Sequence, residues 1–169
     1  ILWAGFSKLT ILKLKKFNPK AIISLERGST HIKFQYNILF HEYKKFSNIE
    51  CHLPSQKLIQ REIDEYNLVD YISVPTEFCE KTFLDYGISK NKIFVNPYGV
   101  DLKIFNEKKY NDQNLILNIL FTGSFSVRKG AYIFLKILNL CKNKKYIKFK
   151  IVGSIEKGLY NYLTPHIHT

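Results

Sequence analysis

Phe121-Thr122-Gly123-Ser124-Phe125-Ser126-Val127-Arg128-Lys129-Gly130 is the stretch on which the reading of this chain turns. Residues 118–122 form an apolar run with strand character, while Ala131, Phe134, Leu138 and Cys141 recur at helical spacing. Strand, glycine-bearing loop and helix is the order in which open α/β sheets bind ligands. The strand ends and the helix N-terminus leave a crevice lined by unpaired N–H donors. Gly123 permits close backbone approach, Arg128 offers a planar fork of donors and Lys129 a compact charge, a pair suited to the two phosphates of a nucleotide diphosphate. Only Arg27, Arg61 and Arg128 are arginine in a lysine-rich chain, so an arginine here points to a geometric demand. A solvated basic turn is the structural alternative.

Residues 147–153 read as a returning strand, which closes one βαβ unit, the opening of a second Rossmann-like domain. Residues 107–114 are polar and aperiodic, the signature of a linker. Upstream, residues 3–17 carry Phe6, Leu9, Leu12 and Phe17 with lysines between them, which predicts a helix with one wet face. Residues 21–25 predict a strand buried on both faces. Ile32, Tyr36, Leu39, Tyr43 and Phe46 form a helical stripe, and a second helix follows Ser55 with Ile59, Ile63 and Tyr66 on one side. Strand 71–74, a helix capped by Thr76 and closed near Gly87, and strand 93–96 complete this part. Their order predicts a parallel sheet.

The composition, 46% hydrophobic and 15% aromatic, belongs to a folded protein. A formal net charge of +12 attracts phosphates, nucleic acid or anionic lipid in general, but a composition rich in Lys, Asn, Ile, Phe and Tyr is the plainer account of it, and charge alone decides little. Cys51, Cys79 and Cys141 are far apart and lack metal-ligand spacing, and His41, His52, His166 and His168 have no partners at such spacing. No metal site and no disulfide framework are expected. No apolar run reaches the ~18 residues of a membrane span. The expected setting is cytoplasmic, with peripheral contact at the inner face of the membrane left open. The absence of Met and the apolar start at Ile1 read as a chain cut from a longer protein.

The string Lys92-Ile93-Phe94-Val95-Asn96-Pro97-Tyr98-Gly99-Val100-Asp101, then Phe105, then Gly123-Ser124 and Arg128-Lys129-Gly130, resembles the retaining glycosyltransferases of the group that includes sucrose and glycogen synthases. Glu65 followed by residues 70–78 is similar to the same group. The resemblance covers roughly residues 25–153, and its joint spacing is more specific than any single motif. It implies a GT-B-like pair of Rossmann-like domains, both incomplete: the C-terminal part of the first in 1–106, the linker 107–114, and the start of the nucleotide-sugar-binding domain in 115–169.

On that resemblance, Arg128 and Lys129 hold the donor diphosphate and stabilise the leaving nucleotide. Gly123 and Ser124 present backbone to the donor. Gly99 and Asp101 lie in a turn near the cleft, or form a structural turn with glycine at a special dihedral. His31 contacts the donor sugar or orients the acceptor, or else makes a local bond at a helix start. Arg27 meets an anionic acceptor or caps Glu26. The implied partners are a nucleotide-diphosphate sugar and a glycan, polysaccharide or lipid-linked acceptor, with neither cofactor nor metal. The family's two spaced glutamates and its early glycine-rich loop do not appear, so this piece alone is not expected to turn over substrate. The alternative is a catalytically inactive relic or a basic module for anionic membrane or nucleic acid. No nucleic-acid motif is present, and nucleic acid is not expected as a partner.

Overall fold

Backbone capping chemistry sets several of the element boundaries. In the computed structural model, which describes residues 1–105 and 116–164, the chain runs β1 (Leu2–Trp3), α1 (Lys8–Phe17), β2 (Ser24–Glu26), α2 (Ile32–Tyr43), α3 (Gln56–Leu68), β3 (Tyr71–Val74), α4 (Glu77–Asp85), β4 (Ile93–Val95), β5 (Leu117–Thr122), α5 (Ala131–Cys141), β6 (Ile147–Val152) and α6 (Tyr160–Leu163). The expected linker at 107–114, His166 and His168 lie outside the described residues. Ser55 Oγ accepts the N–H of Leu58 at the start of α3, and Thr76 Oγ1 that of Cys79 at the start of α4. Gly87 follows α4 at φ +84°, a conformation open to glycine.

The fold is α/β with two parallel sheets, β1-β2-β3-β4 and β5-β6. Two compact units result, one of Ile1–Asn37 with Leu53–Phe105, the other of Ile38–His52 with Asn106–Thr169. In the first unit, Leu25, Ile72, Val74 and Ile93 of the sheet share one core with Ile11 of α1, Ile32 of α2, Ile59 and Tyr66 of α3 and Phe83 of α4. Strictly sequential strand order explains this, since right-handed crossovers in one direction deliver each helix to the same face. In the second unit, Phe121, Phe125, Phe134 and Phe149 meet edge to face at 5.1 to 5.7 Å between ring centres.

Three sequence expectations are corrected. The helix expected over 3–17 begins at Lys8, and Leu2–Trp3 pairs with β2 instead. The reason is non-local: the buried Glu65 carboxylate accepts the N–H groups of Gly5, Ser7 and Lys8 and so fixes the first turn. The stripe Phe6, Leu9, Leu12 and Phe17 faces outward, and α1 is seated on the core through Ile11. The strand expected over 21–25 is Ser24–Glu26 and is not buried on both faces, for its sheet leaves Trp3, Tyr71 and Phe94 exposed opposite the core.

Candidate functional site in the glycine loop after β5

Thr122 ends β5 and the chain turns at Gly123, whose φ is +99°. Gly153 ends β6 in the same way at φ +144°, and a Cβ there would overlap the backbone of Gly123. The two strand ends therefore approach at a distance only glycine allows. Beyond them the loops stay joined: Phe125 N–H donates to Ser154 O at 2.7 Å and Glu156 N–H to Phe125 O at 2.9 Å.

Buried Phe125 and Val127 anchor this loop from below, and Val127–Lys129 forms one turn of 3-10 helix. Gly130 then takes φ +85° and opens α5 without a side-chain cap. Val127 N–H donates to Glu156 Oε2 at 2.8 Å, and Tyr43 Oη donates to Glu156 Oε1 at 2.6 Å. Burial, reinforced by that bond to Glu156, raises the Tyr43 hydroxyl above the usual phenol range, so it remains a donor. Sequence reasoning missed both residues. They stand 113 positions apart, and the helical stripe that holds Tyr43 marks it only as a packing residue.

Arg128 and Lys129 are exposed on that turn, and among the described residues neither has an ion-pair partner. Gly123 and Ser124 are exposed beside them. These four expected site residues thus belong to one loop of the second unit.

Arg27, His31, Gly99 and Asp101 belong to the first unit. Arg27 leaves the end of β2 and pairs with Glu62 at 2.8 Å, not with Glu26 as one reading held. Its Nε also donates to Tyr66 Oη at 3.2 Å and its Nη2 to Gln35 Oε1 at 2.9 Å. Tyr66 Oη in turn donates to Glu62, which leaves the ion pair largely satisfied within a dry setting.

His31 precedes α2 and is buried against Tyr66, Phe83 and Tyr86, stacked on the last with ring centres 4.5 Å apart. Its Nδ1 accepts the Lys33 N–H at 3.3 Å, the local bond of a helix start. Burial first, and then the charges of Lys33 and Arg27, lower its pKa to about 4. Arg27 and His31 are brought together through Tyr66.

Gly99 does not occupy the special dihedral, and a Cβ on it would meet open space. At Gly28 a Cβ would meet Tyr98 Oη, the far end of an exposed side chain that can swing aside. Asp101 works as a turn former, its Oδ1 accepting Lys103 N–H at 2.8 Å and its carbonyl the N–H groups of Ile104 and Phe105.

Cys51, Cys79 and Cys141 are free thiols. Among the described residues no group of three His, Cys, Asp or Glu could hold a metal, and no helix is long and apolar enough to cross a membrane. Comparison of the chain with protein-family models, with curated proteins and with solved structures gives no match in any of the three.

Proposed function

We propose that the chain is part of a retaining glycosyltransferase of GT-B type, and that its second unit takes the diphosphate of a nucleotide-sugar on the turn Val127–Lys129. The observation that carries this reading is the state of two cations: Arg128 and Lys129 stand exposed, without an ion-pair partner among the described residues, on a loop whose backbone is fixed by Phe125, Val127 and Glu156. A guanidinium beside an ammonium suits a diphosphate, the fork gripping two oxygens and the point charge a third.

In transfer, an acceptor hydroxyl oxygen bonds to the anomeric carbon as the bond from that carbon to the phosphate oxygen breaks. Negative charge gathers on the departing nucleoside diphosphate, which takes up the hydroxyl proton. Cations already in place stabilise that charge without reorganising. Gly123 and Ser124, exposed at the end of β5, leave room for the donor's approach. A hexose is the group transferred, and a glycan, polysaccharide or lipid-linked saccharide the acceptor.

Calorimetric titration of the chain with UDP and GDP tests this. Binding of one of them is expected, weakened at least about tenfold by Arg128→Ala. Equal affinity in Arg128→Ala, or no binding of either nucleotide, would overturn the assignment.

A further inference from the structure

The outer face of α1 combines two properties that soluble helices keep apart. Leu9, Leu12, Lys13, Lys16 and Phe17 follow one another at steps of three, one, three and one, a single stripe along the helix, and Phe6 stands exposed just before the helix start. All are exposed, with Phe6 at 85%, Leu9 at 74%, Leu12 at 44% and Phe17 at 82% of full accessibility. The side seated on the core uses Ile11 and Ser7, so the apolar stripe has no role in holding the helix to its own sheet.

The lysines narrow the choice of what covers it. Lys8 and Lys15, at the flanks, pair with Asp64 and Asp70, whereas Lys13 and Lys16, inside the stripe, have no ion-pair partner among the described residues. The helix carries no acidic residue. A second copy of the chain docked face to face would set these lysines against each other. A protein groove would have to receive a convex row of four large apolar side chains together with two bare cations. A lipid surface meets both demands at once: the apolar side chains enter the acyl boundary while the lysine stems lie along it and their ammonium groups reach the headgroup phosphates.

We propose that α1 is an interfacial helix by which the first unit binds the surface of an anionic phospholipid bilayer. This docking is independent of the nucleotide reading, since no residue of the loop after β5 takes part.

The test is co-sedimentation of the chain with vesicles of phosphatidylcholine alone and of phosphatidylcholine mixed with phosphatidylglycerol. Binding to the anionic vesicles at least about tenfold tighter than to the neutral ones is expected, falling as salt is added. Lys13→Glu with Lys16→Glu is expected to lower it about tenfold or more, and so is Leu9→Ser with Phe17→Ser. Both pairs lie on exposed positions, so circular dichroism should match the parent chain. Four results would each overturn the proposal: no binding to anionic vesicles, equal binding to neutral ones, binding that survives both double variants, or equal binding to a polyglutamate peptide. Self-association abolished by Leu9→Ser with Phe17→Ser, without vesicle binding, would assign the face to a second copy instead.

Discussion

Glu65 Oε1 accepts the backbone N–H of Ser7 at 2.7 Å across 58 positions of sequence. The same oxygen takes the Lys8 N–H at 2.9 Å, and Oε2 takes that of Gly5. A helix start needs acceptors for its free N–H groups, and α1 has no side chain of its own in that role. The buried carboxylate of α3 supplies them, and the positive end of α1 offsets part of the cost of burying its charge. Glu65→Ala is expected to destabilise the first unit by about 3 kcal/mol, because several N–H groups lose their acceptor in a dry site. Glu65→Gln should cost less, since one amide oxygen can still serve Ser7 and Lys8. Urea denaturation of the three chains measures the order.

His31 gives the first unit a dependence on pH. Its pKa is about 4 in the folded chain against 6.5 in the unfolded one, the shift coming first from burial. A histidine depressed in this way favours the folded state while neutral, above pH 6.5. As pH falls from 6.5 toward 4 the unfolded chain takes up the proton and the folded chain does not, so stability is lost across that window, by up to about 3 kcal/mol. His31→Phe is expected to flatten this slope, read as the difference in urea midpoint between pH 7 and pH 4.5. A slope unchanged in that variant would show that other groups carry it.

Much of the architecture could be read from local patterns, and what escaped was non-local. β3 at Tyr71–Val74 and α4 with its Thr76 cap follow from apolar runs and hydroxyl spacing. The βαβ order of β5, α5 and β6 follows in the same way. Periodicity located α1 but gave its wrong face to the core, because four large apolar residues outweigh Ile11 and Ser7 in any count made along the sequence. Glu65 and Glu156 act on N–H groups 58 and 29 positions away, so nothing beside them in the chain marks either role. In the loop after β5, Gly123 and the two cations were legible from the loop's own composition. Tyr43 and Glu156, which hold its backbone, were not.

Gly99 and Gly153 should respond to the same change to very different degrees. A Cβ at Gly153 would overlap the Gly123 backbone, and its φ of +144° is one that other residues rarely adopt. Gly153→Ala is therefore expected to cost at least about 2 kcal/mol. At Gly99 the space is open and φ is not positive, so Gly99→Ala should fall within about 0.5 kcal/mol of the parent. Thermal unfolding of the two variants separates them.

Tyr43 and Glu156 make the last prediction, because they join stability to the proposed nucleotide site. Tyr43 Oη holds one oxygen of the Glu156 carboxylate while the other holds Val127 N–H, the residue before Arg128. Tyr43→Phe removes a hydrogen bond to a charged group and is expected to destabilise the second unit by about 1.5 to 3 kcal/mol. It touches neither Arg128 nor Lys129. If the turn must be held for the two cations to grip a diphosphate together, nucleotide affinity in the folded variant should fall several-fold as well, and Glu156→Gln should do the same. The effects should not add in the double variant, since both changes break one chain of bonds. Additive losses in affinity would mean that the two residues act separately, and an affinity unmoved by either would restrict them to packing.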